Sequence, residues 1–296
     1  IDSDGYIDRA FSDLKSYLLQ GSYAQGNTFI KALVFGGHEK TYQSWYGVSK
    51  EQILENRRQN PYTYENEIDN YKQDHYQFHW NEKLNQSWST NIGLNYTYGR
   101  GYFEQFRNDD SIETYGGIVD SDIDENGVKL GTTDLIRRRW LDNNFYVLNA
   151  STNYQSSKLN MTFSSSYSTY SGDHFGEVIW ARQFGENSSI RDQYYKGNGR
   201  KTDFSVFVKA SYFLNKKLEF YGDLQLRNVG YKTKGFTSDL VNMIIDESYS
   251  FFNPKFGLSY KFDISSIIYG SYSRANREPS RSDFESNPKI KPEQLN

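Results

Sequence analysis

The sequence has no cysteine and no long hydrophobic run, and its net charge is only −3. Without cysteine it can form neither a disulfide framework nor a thiolate metal site. No segment approaches the roughly 18 to 20 consecutive apolar residues that a membrane-spanning helix requires. A charge close to zero, with no basic stripe, gives no indication of nucleic-acid binding. These absences exclude a disulfide-stabilised domain and a helical membrane protein, and they predict no nucleic-acid partner.

Apolar residues are also scarce, at 36% of the chain, whereas aromatic residues reach 17% and include 26 Tyr and 20 Phe. Ordinary globular chains are about 45–50% apolar when Gly is counted. This composition is poorly suited to a large soluble core. It is typical of a sheet that has one lipid-facing side, one wet side and aromatic girdles at both membrane interfaces.

Segments with period-2 alternation are joined in turn by short connections of about two to six residues and long ones of roughly sixteen to forty. The short connections lie at residues 25–27, 81–85, 155–158, 215–217 and 263–266. The long ones lie at residues 39–70, 102–141, 171–200 and 232–248. Short turns at one end and long loops at the other predict an antiparallel transmembrane β-barrel, with short periplasmic turns and long extracellular loops.

The segment at residues 202–227 shows the alternation most clearly. Phe204 and Val206 share one face with Leu224 and Leu226, and the charged residues of these strands fall on the opposite face: Asp203, Lys209, Glu219, Asp223 and Arg227. A Lys or Arg facing lipid at mid-bilayer costs about 2–4 kcal/mol, so a lipid-exposed face requires this sorting. A soluble β-sandwich sorts its residues in the same way, but it gives no reason for long loops at one end only.

The complete pattern predicts an all-β fold of about ten strands in five hairpins, several of them 12 to 16 residues long by the alternation. Only about 9–11 residues are needed to cross the hydrocarbon layer. We therefore expect the strands to continue beyond the membrane on the side of the long loops.

The predicted loops contain aromatic and arginine side chains, which are the residue types expected around a ligand. The candidate ligand-binding residues are Trp45, Arg57, Arg58, Arg138, Trp140, Trp180, Arg182, Tyr194 and Tyr195. The alternative is that these side chains pack loop against loop and contact lipopolysaccharide at the barrel rim.

Neither a catalytic site nor a metal site is indicated. The acidic segment at residues 120–127 lacks the ligand order of an EF-hand. His75 and His79 share a strand face but lie about 13 Å apart, too far for one ion to bridge. No Ser/His/Asp grouping is suggested by spacing. The sequence thus predicts a protein that is not an enzyme and that has no cofactor.

Two motifs resemble the TonB-dependent outer-membrane receptors. Residues 272–284 read YSRANREPSRSDF and residues 291–295 read KPEQL, similar to a strand that ends in an ANREP-type loop before the next strand. Residues 251–258 resemble the preceding strand of that family. Residues 138–143 and 173–181 resemble loop segments of members from Bacteroidetes.

The resemblance implies a 22-stranded barrel closed by an N-terminal plug, with ligand bound by the outer loops and plug and with energy supplied through TonB. The sequence shows no plug, no TonB-contacting segment and no terminal strands. We therefore interpret residues 1–296 as the middle portion of such a barrel, with the plug domain absent. Contact with the TonB complex would involve the absent N-terminal region.

The predicted function is active uptake, across the outer membrane of a Gram-negative bacterium of the Bacteroidetes type, of a scarce bulky ligand such as a ferric siderophore, haem, cobalamin or a glycan. The expected partners are outer-membrane lipid, lipopolysaccharide and a small-molecule or metal-chelate ligand. The main alternative is a passive porin or surface-binding barrel without energy coupling. An outer-membrane enzyme barrel and a soluble β-sandwich are further alternatives.

One charged segment offers both signs within a few residues. Arg277, Glu278, Arg281 and Asp283 follow the last predicted strand. We expect these residues to order the loop through ion pairs rather than to contact the ligand.

Overall fold

The computed structural model describes residues 1–42 and 46–296. The fold is all-β, and eleven strands form one antiparallel sheet in chain order. These strands are β1 (Asp2–Ser3), β2 (Ser12–Gln25), β3 (Thr28–Tyr42), β4 (Ile68–Lys83), β5 (Trp88–Ser111), β6 (Thr132–Gln155), β7 (Leu159–Ala181), β8 (Gln193–Phe213), β9 (Leu218–Phe236), β10 (Asn242–Lys261) and β11 (Ile267–Ser273). The ten predicted strands correspond to β2 through β11, so the predicted all-β antiparallel architecture is confirmed.

The remaining elements are short. They are α1 (Lys50–Glu55), a 3₁₀ helix (Ile112–Tyr115), α2 (Arg281–Ser286) and a separate ribbon of β12 (Ala275–Arg277) with β13 (Glu293–Leu295). Within the described residues, no helix is both long enough and apolar enough to cross a membrane.

Each of the five tight turns joins two neighbouring strands at the same end of the sheet, which we call the turn end; the opposite end is the loop end. At three of these turns an Asn or Asp side chain accepts hydrogen bonds from the backbone. Asn215 accepts from Lys217 and Leu218 at 2.8 and 3.0 Å. Asn85 and Asp263 act in the same way in their own turns. Such Asx turns reverse the chain locally and fix the register of the hairpin.

The strand register places the apolar side chains on one face of the sheet, which we call the outer face. Phe78 is the partner of Leu94, Leu94 of Leu148, and Leu148 of Tyr167. These side chains are exposed, Leu94 at 46% and Phe163 at 53%. Within residues 1–42 and 46–296 no second layer of protein covers these side chains. The alternation therefore predicts their position correctly, and a soluble sandwich does not describe this fold.

The outer face has the dimensions of a bilayer. At ~3.3 Å per residue and ~40° of strand tilt, the stretch of β5 from Trp88 to Tyr98 rises about 25 Å, the height of the apolar band on outer-membrane barrels. Tyr76, Tyr96 and Tyr146 stack side by side at its loop-end edge, with ring centroids 5.8 and 4.5 Å apart. This row has the position and composition of an aromatic girdle.

The strands are longer than the alternation predicts, and the loops are correspondingly shorter. β5 and β6 have 24 residues each, whereas 12 to 16 are predicted. The predicted loop at 102–141 is strand up to Ser111 and again from Thr132, and the one at 232–248 shrinks to residues 237–241. Beyond the apolar band, which we expect lipid to cover, charged side chains such as Arg100 and Glu104 appear on the outer face among the apolar ones. The hydrophobic alternation ends there, although the backbone pairing continues.

The described residues leave β11, and most of β2, without a neighbouring strand on one side. Unpaired strand edges carry free backbone N–H and C=O groups, which lipid cannot satisfy. The sheet is therefore a partial barrel rather than a closed one.

The largest buried cluster lies at the loop end, outside the apolar band. Tyr115, Ile118 and Val119 of the β5–β6 connection pack against Leu135, Val178 and Ala181 of β6 and β7. Tyr115, Leu135 and Val178 have no exposed surface. This small core anchors the connection to the strands that carry it.

Residues 274–296 leave the sheet and fold against its inner face. The backbone N–H of Asn276 donates to the side chain of Asn253 at 3.1 Å. Phe284 is buried and stacks on Tyr231, with ring centroids 5.5 Å apart. We call residues 274–296 the inner segment.

The sorting of the two faces generates a direct test. Replacing Phe163 with Lys places a charge on the outer face within the apolar band, which costs about 2–4 kcal/mol at mid-bilayer. Ser164→Lys introduces the same charge one residue away, on the inner face, and we expect a much smaller effect. The measurement is the free energy of unfolding by denaturant in phospholipid vesicles. Equal losses in the two variants would contradict the assignment of the faces.

Candidate ligand-binding site

A row of inner-face side chains crosses five strands at the loop end. Asp69 is the partner of Phe103, Phe103 of Arg139, Arg139 of Gly176, and Gly176 of Tyr195. Because the five residues share one register level, their side chains project together from the inner face. We call this the inner row.

Gly176 makes room for aromatic rings in the middle of the inner row. A Cβ atom at this position would lie within 2.6 Å of the rings of Tyr194 and Tyr195. Tyr194 is an additional residue at a register shift between β7 and β8, so its ring packs beside that of Tyr195, 5.0 Å between centroids. The bulge therefore brings two tyrosines next to Arg139.

Arg139 has no carboxylate partner among the residues that the structure describes. Its Nε donates to the Tyr194 hydroxyl at 3.4 Å, and its guanidinium lies 5.5 Å from the centre of the Phe103 ring. Among the described ion pairs none involves Arg139. Nine other arginines take part in such pairs near the loop end or in the inner segment: Arg58, Arg100, Arg107, Arg137, Arg138, Arg182, Arg227, Arg277 and Arg281. Its charge is thus available to an anion.

Two adjoining cavities meet at Arg139. One, of about 250 Å³, is lined by four members of the inner row together with Tyr71 and Ser238; the four are Asp69, Phe103, Arg139 and Tyr195. The other, of about 240 Å³, adds Arg107 and Arg137 to Arg139. Ser238 of the β9–β10 connection lines both cavities, and Asp239 and Leu240 line the second. The arrangement can hold a bulky anionic group between aromatic rings and guanidinium groups.

Arg107 and Arg137 are held in a fixed network, in which both lie within 4 Å of the same carboxylate, Asp110. Arg107 donates two hydrogen bonds of 3.0 Å to Asp110, and Arg137 donates to Gln105 at 2.9 Å and to the Tyr115 hydroxyl at 3.1 Å. Burial raises the pKa of Tyr115 well above its ordinary value, so the phenol remains a neutral donor to Asp110. These contacts stabilise the base of the cavity.

Two of the predicted ligand residues, Arg138 and Trp140, lie on the outer face. Arg138 Nε donates to Glu104 at 2.7 Å and its guanidinium stacks over Tyr102 at 4.3 Å. The indole of Trp140 donates to Glu177 at 3.1 Å. Tyr194 and Tyr195 are the two predicted residues that the fold brings together at the inner row.

The other predicted residues are dispersed. Trp180 is 44% exposed on the outer face, and Arg182 pairs with Asp122 and Asp134. Arg57 and Arg58 follow α1, where Arg58 pairs with Asp8 at 3.2 Å. Trp45 lies outside the described residues. A ligand role for these residues stays a prediction.

The four charged residues predicted to order this loop each find a different partner. Glu278 receives hydrogen bonds from Arg227 at 2.8 Å and ion-pairs with Lys201 at 2.6 Å, which joins the segment to β8 and β9. Although burial opposes ionisation, these hydrogen bonds lower the pKa of Glu278 to about 2. Arg277 pairs with Glu293, and Arg281 pairs with Glu285. Asp283 caps the start of α2, where its carboxylate accepts the backbone N–H of Ser280.

The β3–β4 connection is held to the loop end by two buried carboxyl groups. Glu104 accepts hydrogen bonds from Tyr64 at 2.6 Å and from Asn66, and it is 1% exposed. Glu67 is equally buried and accepts the backbone N–H of Phe106 at 3.1 Å. Burial raises the pKa of Glu67 to about 7, so this group titrates near neutral pH.

Comparison with known proteins identifies a family and a fold. A family profile described as "TonB dependent receptor-like, beta-barrel" matches residues 7–296. No curated protein matches the sequence at a significant level.

Solved structures give the same result. The ferric-catecholate import receptor Fiu from K12 E. coli superposes with a TM-score of 0.60 at 10% identity, over 93% of this chain and 45% of its own. The ferric citrate transporter FecA gives 0.63 at 11% identity, over 97% and 40%. The copper transporter OprC gives 0.65 at 12% identity, over 99% and 43%. The chain spans less than half the length of these structures, and at such identities the likeness concerns the fold alone.

The buried carboxyl of Glu67 predicts a pH-dependent loop. Its folded pKa of about 7 lies above the ordinary 4.5. The docked β3–β4 connection is therefore most stable at a pH below the ordinary pKa of 4.5. It loses on the order of 3 kcal/mol of stability as the pH rises through 7. We expect amide hydrogen exchange of residues 59–67, corrected for the intrinsic rate, to be faster at pH 8 than at pH 5.

The matched control is Glu67→Gln, which keeps the shape of the side chain and cannot ionise. Its protection should vary little between the two pH values. An unchanged pH dependence in this variant would show that another group is responsible.

Proposed function

Because this chain belongs to the family of TonB-dependent receptor-like β-barrels, we propose that it forms part of the wall of a receptor that takes up a bulky anionic ligand. The family is one of Gram-negative outer-membrane receptors and transporters rather than enzymes. The loop end is accordingly the extracellular end, and the turn end is periplasmic.

Arg139 carries the proposal. It is a half-buried guanidinium on the inner face at the extracellular end, it lacks a carboxylate partner among the described residues, and Tyr194 and Phe103 flank it. A receptor needs this position because a ligand entering from outside reaches the extracellular part of the lumen first. We assign the ligand contact to Arg139, Tyr194 and Tyr195.

A negatively charged metal chelate suits this site best. Carboxylate and catecholate oxygens are acceptors that guanidinium and phenol donors can bind. Fiu and FecA, which share the fold, are by their names a ferric-catecholate receptor and a ferric citrate transporter. Haem, cobalamin and glycans are the other ligand classes proposed for this chain.

Energy coupling through TonB belongs to the same proposal, with a plug domain that fills the space inside the barrel. The two unpaired edges support the view that further strands complete the wall, since lipid cannot satisfy open backbone groups. Outer-membrane lipid and lipopolysaccharide are the proposed partners of the outer face. A passive barrel without energy coupling is the competing function.

Growth on single nutrients separates these possibilities. A strain that lacks the gene for this protein should grow poorly when one nutrient alone limits growth: ferric citrate, a ferric catecholate, haem, cobalamin or a glycan. The comparison is then repeated with TonB deleted from both the parent strain and the deletion strain. If the difference in growth between them disappears, uptake by this protein depends on TonB and is active. A deficit that persists without TonB would favour the passive barrel.

The ligand contact itself is tested by Arg139→Gln. We expect loss of a charged hydrogen bond to weaken binding by about 10-fold or more, since such bonds contribute about 1.5–3 kcal/mol. The measurement is binding of radiolabelled iron, supplied as ferric citrate or a ferric catecholate, to cells that display the receptor.

The control is Arg100→Gln, which removes an arginine of the outer face at the same end of the sheet, where it pairs with Asp142. This variant should bind as the unaltered receptor does. Equal binding by the two variants and the unaltered receptor would refute a role for Arg139.

A further inference from the structure

Some outer-face charges just beyond the apolar band are paired with acids, whereas β8 and β9 carry an excess of cations there. Lys72 pairs with Asp74 at 3.1 Å, and Arg100 pairs with Asp142 at 3.5 Å. On β8 and β9 four cations share the outer face with fewer acids: Lys196, Arg200, Lys232 and Lys234. We call these four residues the outer basic patch.

Two members of the patch lack acidic partners. Lys196 pairs with Asp173 at 3.7 Å, and Lys232 pairs with Asp246 at 2.9 Å. Within the described part of the chain, Arg200 and Lys234 make neither an ion pair nor a side-chain hydrogen bond. The patch therefore has an excess of two positive charges on an exposed surface.

The register brings like charges together. Arg200 is the direct partner of Lys232 across the two strands, and Lys234 is the diagonal neighbour of Arg200. Like charges directly opposite one another destabilise a sheet, and diagonal neighbours are ~7–8 Å apart, within reach of long side chains. An anion bound between Arg200 and Lys234 offsets this repulsion.

The patch lies at the height of the lipid headgroups. Phe204 is the last large apolar side chain of the outer face of β8, and Arg200 follows it toward the loop end. At ~3.3 Å per residue and ~40° of tilt, Arg200 lies about 10 Å above Phe204, so its long side chain reaches the polar boundary of the bilayer.

Exposed apolar side chains accompany the cations. Ile244, the strand partner of Lys234, is 74% exposed, and Phe236 is 46% exposed on the same face. A free inorganic phosphate would contact the cations alone. An amphiphile can satisfy the cations and the apolar side chains together.

We propose that the outer basic patch binds the phosphate groups of lipid A, the membrane anchor of lipopolysaccharide in the outer leaflet. This rests on the proposed outer-membrane function, and it assigns residues to the lipid partner. The guanidinium of Arg200 suits a phosphate through paired hydrogen bonds, and the ammonium of Lys234 adds a point charge.

The test is the lipopolysaccharide that remains bound after mild detergent extraction from the outer membrane. In Arg200→Gln/Lys234→Gln, we expect the amount per receptor to fall at least about fivefold, because two charged contacts are lost. The control Lys216→Gln/Lys217→Gln removes two exposed cations from a tight turn at the periplasmic end. Its lipopolysaccharide content should equal that of the unaltered receptor.

Rebinding to the delipidated receptor distinguishes the sources of phosphate. Purified lipid A should rebind, dephosphorylated lipid A should bind at least about fivefold more weakly, and inorganic phosphate should not compete at millimolar concentration. Equal binding of the two forms of lipid A would overturn the proposal, as would competition by inorganic phosphate. Retention of lipopolysaccharide by the double variant would also overturn it.

Two checks separate these outcomes from other failures. Arg200→Lys/Lys234→Arg keeps both charges and should retain most of the bound lipid, so loss in this variant as well would contradict charge recognition. Recovery of the protein outside the outer-membrane fraction would refute the proposed function itself. Loss of lipopolysaccharide from a correctly located, heat-modifiable receptor concerns the patch alone.

Discussion

The structure depends on one constraint, which is that a chain crossing lipid must pair its backbone groups internally while its two faces meet different solvents. Antiparallel pairing from β2 to β11 meets the first requirement, except at the two edges of the sheet. Strict alternation meets the second, since Leu94 and Phe163 lie on one face and their sequence neighbours on the other. The low apolar content of the chain follows, because half of each spanning strand meets water.

Beyond the membrane the same strands serve a different purpose. The wall continues for several residues, but lipid no longer determines its outer face. Charges and aromatic rings appear there, as in the contact of Arg138 with Glu104 and Tyr102. The inner face of this extension carries Arg139 and the two tyrosines. In the proposed function, the extension raises a ligand-facing surface above the bilayer, and the outer basic patch lies where the wall leaves the bilayer.

The membrane part of the fold is predictable from the sequence, and the part above it is only partly so. Alternation defines the five hairpins with short turns, and an Asx turn such as that of Asn215 closes three of them. The continuation of β5 past Tyr102 cannot be recognised in the sequence, because Arg100 and Glu104 on the outer face interrupt the hydrophobic alternation. Alternate residues of a strand share a face, and Leu148 lies on the outer face of β6. The alternation therefore places Arg138 on the outer face and Arg139 on the inner face, which the sequence alone could have predicted. The pairing of Tyr194 with Arg139 depends on a bulge opposite Gly176, and no local pattern predicts it.

The central claim is that acyl chains cover the outer face and water reaches the inner one. Because the chain has no cysteine, single cysteines can be introduced along β8 from position 203 to 209 and labelled with a nitroxide. In bilayers, the account predicts that labels at 204, 206 and 208 collide mainly with oxygen, which dissolves in lipid. Labels at 203, 205, 207 and 209 should collide mainly with a water-soluble nickel complex. Uniform protection from both reagents along the strand would place β8 in a protein interior and contradict the account.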